Sequence, residues 1–166
     1  MIKHLTVLIA FLMTIGSQAS AFDSDDLQRL KDTGNCMSCD LSSANLVDAD
    51  LEDAMLMFAN LREANLMGAN LEGAFLQDAK LQRANLKDAK LSGADMRDAS
   101  MQNVNLYGAE LVGAYLLKAH LKFADLRQAN LDAADLEGAN IYYAKMKGAI
   151  LCNTTMPDGS VIYSGC

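Results

Sequence analysis

The chain has 166 residues, of which 51% are hydrophobic and 21% charged, and its formal net charge is −7 at neutral pH. This length fits one domain. The acidic balance, without a basic stripe, argues against recognition of the nucleic-acid phosphate backbone.

Residues 1–21 have the composition of an export signal. Lys3 and His4 make its start basic, an apolar stretch runs from Leu5 to Ile15, and Ala19-Ser20-Ala21 forms a small-x-small cleavage site. The apolar stretch has 11 residues, whereas about 20 are needed to span a bilayer. We therefore expect cleavage after this segment, no stable membrane insertion of the product, and an extracytoplasmic destination. That destination is the periplasm or the medium, or the thylakoid lumen in a photosynthetic organism.

Residues 22–38 are predicted to form an N-terminal capping segment. Asp23 or Ser24 can cap a short helix through its side-chain oxygen, and Gly34 can end that helix in the left-handed conformation. The leucines of this helix would cover the beginning of the domain that follows.

A five-residue repeat dominates residues 39–153. From Leu41 to Leu151 an apolar residue occupies every fifth position, 23 in all, and 19 of these are Leu. Two residues before each of them stands Ala in 21 of the 23 cases, the exceptions being Cys39 and Val104. Such self-similarity at a fixed interval indicates a repeat architecture.

An interval of five residues fits neither a regular helix nor a straight strand. An α-helix would rotate successive repeat leucines by about 140° and scatter them around its axis. A straight strand would send alternate leucines to opposite faces. The chain must therefore bend once per unit so that every Ala and Leu points inward, which produces a coil stacked on itself.

Units such as Ala59-Asn60-Leu61-Arg62-Glu63 and Ala64-Asn65-Leu66-Met67-Gly68 resemble the A-[D/N]-L-x-x pattern of the pentapeptide-repeat family. The resemblance implies an all-β fold, a right-handed quadrilateral β-helix with one pentapeptide per side and about 20 residues per coil. The repeat would then make about six coils and, at a strand spacing of about 4.8 Å, would be roughly 28 Å long. Leu and Ala would fill the interior, and the other three residues of each unit would face water.

Residues 154–166 are predicted to form a small C-terminal cap. The Ala-x-Leu pattern stops after Leu151, and Met156-Pro157-Asp158-Gly159 has the composition of a turn. This turn would join two short strands at 154–156 and 160–163.

Four cysteines bracket the repeat. Export to an oxidising compartment favours their pairing, and a disulfide needs Cα atoms within about 7 Å, which disfavours pairs that span the solenoid. We therefore predict the pairs Cys36–Cys39 and Cys152–Cys166. A zinc site would need all four cysteines together. Redox motifs share the Cys-x-x-Cys spacing but place it at a helix N-terminus, and whether Cys36 and Cys39 form a closed disulfide or free thiols stays open.

A candidate interaction patch is predicted near the C-terminal coils. Residues 20 positions apart lie on one side of the coil, so that Phe123 and Tyr143 should stack. Exposed aromatic clusters are enriched at protein interfaces, although packing between coils accounts for them equally well. The patch comprises His120, Lys122, Phe123, Asn140, Tyr142 and Tyr143.

Two further sets of side chains recur at the interval of one coil. Amide side chains are expected to hydrogen-bond along the stack, as in cross-β ladders; they are Asn45, Asn65, Asn85 and Asn105. Apolar side chains share a position on another side; they are Met55, Phe75 and Tyr115.

No catalytic, metal-binding or cofactor-binding residues are predicted. No Ser-His-Asp set, paired buried carboxylates or phosphate-binding glycine loop can be assembled from the sequence. The favoured function is an exported, non-catalytic structural or protein-interaction module with an unidentified protein partner, no nucleic-acid ligand, and a homodimer as one form of that partnership.

Two alternatives remain. One is a redox-active protein that uses Cys36 and Cys39. The other, which the family resemblance implies for some members, is a DNA mimic that inhibits a type II topoisomerase. The repeat has 16 acidic and 11 basic residues, whereas B-DNA of the predicted length carries about 16 charges. This surplus of acids is small, so DNA mimicry is disfavoured.

Overall fold

The computed structural model describes residues 22–166 of the chain. The export signal predicted at residues 1–21 lies outside the described residues. Within the described range, no helix is both long and apolar enough to cross a bilayer.

The helix predicted between Asp23 and Gly34 is present as α1, Ser24–Thr33. The Asp23 carboxylate accepts hydrogen bonds from the backbone N–H of Asp25 and of Asp26, at 2.9 and 3.3 Å. Gly34 adopts a left-handed φ of 66° and donates its N–H to Leu30 O. The backbone groups at both ends of α1 therefore have hydrogen-bond partners, and Asp23 and Gly34 act as the caps that the sequence predicts.

Helix α1 substitutes for a preceding coil on one side of the first coil. Asp23 N donates to Asp40 O at 3.0 Å, and Asp40 N donates to the Asp26 carboxylate at 2.7 Å. Leu30 packs onto the core and is only 2% exposed. The helix therefore satisfies the backbone of the first coil at Asp40 and covers part of its apolar interior.

The repeat forms a solenoid in which each residue preceding a central Leu pairs with its counterpart 20 residues later. Parallel bridges run from Asn35↔Met55 through to Asp135↔Thr155. Asn85, for example, donates its N–H to Ala64 O in the preceding coil at 2.9 Å and accepts from Leu66 N at 2.7 Å. Within each unit the Ala N–H donates back to the preceding Leu carbonyl, as Ala89 does to Leu86 at 3.1 Å. The coil length therefore agrees with the predicted 20 residues.

The interior is a continuous column of leucine and alanine. Every central residue from Leu56 to Leu136 is at most 1% exposed, and so is every residue in the alanine positions from Ala59 to Ala134. Val104, the one larger residue in an alanine position of that range, is accommodated at 1% exposure. Removing this apolar area from water is the main stabilising contribution.

The corners of the coil are formed by the second residue after each central position. Glycine occupies several corners at positive φ, for example Gly68 at 68°. Seventeen residues other than glycine also have positive φ, among them Phe123 and Tyr143. This conformation is unfavourable for side chains with a Cβ, and here hydrogen bonds between coils hold it, such as the bond from Phe123 N to Tyr142 O.

The coil geometry begins earlier than the predicted boundary at residue 39. Cys36 occupies a central leucine position and Cys39 the following alanine position, and both are buried. Cys36 N donates to Met55 O at 2.7 Å, and Asn35 bridges to Met55. The first unit of the solenoid therefore contains the Cys-x-x-Cys sequence rather than following it.

The coil geometry also continues past Leu151, where the Ala-x-Leu pattern stops. Thr154 occupies an alanine position, is fully buried, and donates its hydroxyl hydrogen bond to Leu131 O at 2.7 Å. Leu136 N donates to Thr155 O at 2.9 Å. A threonine fits this position because its hydroxyl has a partner, which removes the penalty of burying a polar group.

A hairpin closes the chain, as the turn composition predicts. Strand β1, Leu151–Thr155, pairs antiparallel with β2, Val161–Ser164. The turn is held by bonds from Met156 N to Ser160 O and from Gly159 N to Met156 O, at 2.7 and 2.9 Å. Strand β1 starts three residues before the predicted strand because it is also the last side of the solenoid.

The amide ladder extends over three coils. Asn85 donates to the Asn65 side-chain oxygen at 2.9 Å, and Asn105 donates to that of Asn85 at 3.0 Å. In the next coil the same position holds Asp125, whose carboxylate instead accepts two bonds from Arg127, at 2.8 and 2.6 Å. The amide ladder therefore stabilises the stack of coils, and it ends where Asp125 pairs with Arg127.

This ion pair gives a testable pH dependence. The side-chain hydrogen bond from Arg127 is the largest cause that lowers the pKa of Asp125 below its ordinary 3.8. Because the folded-state pKa lies below the unfolded one, the pair's contribution to stability is present at neutral pH and is lost as pH falls through the folded pKa. We expect Arg127→Gln to raise the pKa of Asp125 toward 3.8, measured by carboxyl NMR titration. Arg83→Gln, which removes an ion pair to Glu63, is the control; equal Asp125 pKa values in the protein and in Arg127→Gln would contradict the assignment.

Candidate functional site

The centre of the predicted patch is a stacked aromatic pair. Phe123 and Tyr143 are corner residues of adjacent coils, aligned by the bond from Phe123 N to Tyr142 O at 3.0 Å. Their ring centroids lie 5.3 Å apart and their planes differ by 6°. The predicted stacking is therefore present.

Tyr142 and Lys122 extend this pair along the same side. The Tyr142 and Tyr143 ring centroids are 4.0 Å apart, and the Tyr142 hydroxyl donates to the Tyr143 hydroxyl at 3.2 Å. This hydrogen bond is the largest cause that raises the pKa of Tyr142. Lys122 Nζ lies 5.0 Å from the Phe123 centroid and 5.9 Å from that of Tyr142, within the range of cation–π attraction.

His120 and Asn140 complete the predicted set beside the aromatic rings. A backbone bridge joins the two residues, and the Asn140 side-chain oxygen accepts from Tyr142 N at 3.2 Å. The six predicted residues thus occupy one side of two successive coils. We call these six residues the aromatic patch.

The rings of the aromatic patch remain available to a ligand. Phe123, Tyr142 and Tyr143 are 46%, 59% and 63% exposed. Phe123 and Tyr143 also hold the left-handed conformation, with φ of 61° and 59°, which is rare for bulky residues. The coil imposes this conformation at its corners, and the rings there are exposed to solvent.

The Cys-x-x-Cys pair lies inside the solenoid. Cys36 and Cys39 are paired with Cα atoms 5.2 Å apart and are at most 1% exposed. Arg29 of α1 reaches over the pair, with its guanidinium 2.8 Å from Cys39 Sγ. A redox partner must approach a sulfur atom directly, so this burial disfavours the redox alternative.

The second predicted pair joins the hairpin to itself. Cys152 of β1 and Cys166 are paired with Cα atoms 4.9 Å apart. Among residues 22–166, no group of three or more His, Cys, Asp or Glu side chains is arranged to hold a metal ion.

The second set of exposed apolar side chains, predicted as Met55, Phe75 and Tyr115, differs in part from the prediction. The structure brings Met55 and Phe75 together as bridge partners, but Asp95 separates Phe75 from Tyr115. Phe58 lies on the same side as Met55 and is 52% exposed. Comparison of residues 20 positions apart omits Phe58 because its counterparts in the adjacent coils are Ser38 and Asp78, which are not aromatic.

Comparisons with known proteins agree with the geometry of the solenoid. The family described as pentapeptide repeats matches in eight copies over residues 35–73, 79–116 and 119–156. No curated protein matches the chain.

Three solved structures illustrate the similarity. HetL, a pentapeptide repeat protein involved in heterocyst differentiation regulation in the cyanobacterium Nostoc, is 34% identical, with 77% of this chain and 70% of that chain covered and a TM-score of 0.36. A pentapeptide repeat protein from the thylakoid lumen of Arabidopsis thaliana is 28% identical, with 75% and 70% covered and a TM-score of 0.51. Another from Nostoc is 36% identical, with 52% and 74% covered and a TM-score of 0.49.

Proposed function

Because the chain belongs to the pentapeptide-repeat family, whose members are right-handed β-helices, we propose that it is an exported, non-catalytic module that binds another protein. Proteins of this family are generally structural or interaction modules rather than enzymes. A rigid column of stacked coils holds surface side chains in fixed positions without needing a closed active site.

The aromatic patch is the observation that carries this proposal. Three exposed rings and one lysine lie in mutual contact on one side of two coils. Tyrosine and phenylalanine are enriched at protein interfaces because large, rigid rings lose little conformational entropy on binding. The tyrosine hydroxyls and the lysine add polar contacts, so the patch suits a protein surface of mixed character.

Three features support an extracytoplasmic location. Two cysteine pairs lie at bonding distance, and disulfides persist mainly in oxidising compartments. The first 21 residues have export-signal composition. A similar protein of the same family comes from the thylakoid lumen. We accordingly place the mature protein in the periplasm, the medium or an equivalent lumen.

The experiment compares partner recovery from the extracytoplasmic fraction by the protein and by Phe123→Ala/Tyr143→Ala. The substitutions should reduce recovery of specific partners at least tenfold, since central aromatic residues at interfaces typically contribute about 2 kcal/mol or more each. Phe58→Ala/Tyr115→Ala removes two exposed rings outside the aromatic patch and should leave recovery unchanged.

Equal recovery by both double variants would contradict the role of the aromatic patch. Sedimentation at several protein concentrations distinguishes a homodimer from a different partner. An association that Phe123→Ala/Tyr143→Ala abolishes would identify a second copy as the bound protein.

A further inference from the structure

The outer edge of the first coil forms a groove at the end of the solenoid opposite the aromatic patch. A cavity of ≈ 410 Å³ lies between the end of α1 and this edge. We call it the N-terminal groove; its lining includes Leu30, Gly34, Leu46, Ala49, Leu51 and Glu52.

Within residues 22–166, backbone groups along the N-terminal groove have no partners of the kind that equivalent groups have in the later coils. In the next coil, Asn65 N donates to Ala44 O at 2.9 Å and Asn65 O accepts from Leu46 N at 2.8 Å. At Asp40 the partners are Asp23, the N-cap of α1, and Asp26 of the helix itself. Across the described part of the chain, nothing comparable binds the N–H and C=O of Asn45 or Asp50. These groups form a strand edge that can accept a further strand.

The floor of the N-terminal groove is apolar and incompletely covered. Ala49 is partly exposed, whereas Ala69, the equivalent residue one coil later, is fully buried. Leu46 and Leu51 are 4% and 6% exposed, unlike the sealed leucines of later coils. A segment that continued the solenoid here would place a small residue and a leucine-sized residue, two positions apart, over this floor.

The rim of the N-terminal groove is acidic. Asp50 and Glu52 are exposed and contribute to its lining, where Lys31 is the opposing base. Between residues 40 and 72 the chain has seven acidic residues and one basic residue. A ligand with basic outward side chains would therefore be electrostatically complementary.

We propose that the N-terminal groove binds an extended, basic peptide segment of a partner protein by strand addition. The segment runs parallel to the first coil, donates to and accepts from the backbone of Asn45 and Asp50, and lays a small and a leucine-sized side chain on the apolar floor. Its outward basic side chains face Asp50 and Glu52. Main-chain bonds of this kind provide affinity, and the inward side chains provide selectivity.

The test uses the synthetic peptide acetyl-Lys-Ala-Lys-Leu-Lys-Gly-Ala-Lys-Leu-Lys-amide, whose two Ala-x-Leu units are five residues apart as Asn45 and Asp50 are, and the exported protein as recovered from cells. Binding is followed by NMR through the backbone amides, and those of Asn45 and Asp50 should shift and exchange more slowly with solvent. Glu52→Lys should weaken binding about fivefold or more because it reverses a charge on the rim. Glu72→Lys, which changes the same position one coil later, should alter the dissociation constant less than twofold.

A second peptide tests the strand geometry itself. N-methylation of its alternate backbone nitrogens removes the donors and should weaken binding about tenfold. Equal binding of both peptides, equal effects of Glu52→Lys and Glu72→Lys, or amide shifts confined to other coils would overturn the proposal. Protection of the Asn45 and Asp50 amides without peptide, together with concentration-dependent sedimentation, would also overturn it by identifying a second copy as the ligand.

Discussion

Replacement of Leu86 by Asp should lower the free energy of unfolding by about 5 kcal/mol or more and unfold the coils around it. Leu86 is fully buried, and the same position in the adjacent coils is held by Leu66 and Leu106. The substitution removes a leucine-sized volume and places a carboxyl group where the surroundings are apolar. Because the free energy of unfolding of a domain of this size is about 5–15 kcal/mol, one such substitution removes a large part of it.

Chemical denaturation of Leu86→Asp measures this effect, and circular dichroism reports whether the solenoid still forms. Lys80→Asp is the matched control, because Lys80 precedes a central leucine and is exposed. Surface substitutions of this kind usually change stability by less than about 0.5 kcal/mol. Similar stabilities for the two variants would contradict the inward placement of the central leucines.

Replacement of Cys152 by Ser should release β2 from the end of the solenoid at a cost of about 3 kcal/mol. The disulfide spans a sequence separation of 14 residues, and closing a loop of this size restricts the unfolded chain. Among residues 22–166, strand β2 pairs with β1 alone, and an isolated two-stranded hairpin is marginally stable in water. Strand β1 should stay in place, since Ile150 and Thr155 bridge to the preceding coil.

Native-state hydrogen exchange of the Val161–Ser164 amides measures this release, and a loss of about 3 kcal/mol corresponds to exchange roughly 100-fold faster. Cys36→Ala/Cys39→Ala is the control, because that pair lies at the opposite end and should leave these amides unaffected. Mass spectrometry of non-reduced peptides should show Cys152 linked to Cys166. A bond between the two ends of the chain, or unchanged exchange in Cys152→Ser, would contradict the prediction.

The interior of the solenoid is predictable because Leu and Ala, which fill it, recur at a fixed spacing in the sequence. Leu and Ala two positions apart can both be buried only if the backbone turns once per unit. The caps of α1 are predictable for a similar reason, since Asp23 and Gly34 each have a local preference that the structure uses. The stacking of Phe123 on Tyr143 follows from coil length alone.

The ends of the solenoid are less predictable because there the backbone maintains the coil with different residue types. Cys36 occupies a leucine position and Thr154 an alanine position, yet Cys36 N donates to Met55 O and the neighbouring Thr155 N donates to Ala134 O, as in the regular units. Residue identity alone does not reveal this continuity. The N-terminal groove depends on how far α1 extends over the first coil, which is a matter of tertiary packing rather than of pattern.

The 20-residue register has a consequence for how this molecule can change in length. Deletion of one pentapeptide would preserve every inward Leu and Ala but rotate everything beyond it by a quarter turn about the long axis. The aromatic patch and the N-terminal groove would then face new directions relative to each other, although each stayed intact. Only insertion or deletion of whole coils leaves these relative directions unchanged. A partner that contacts both surfaces would therefore depend on the angle between them about the long axis as well as on their separation.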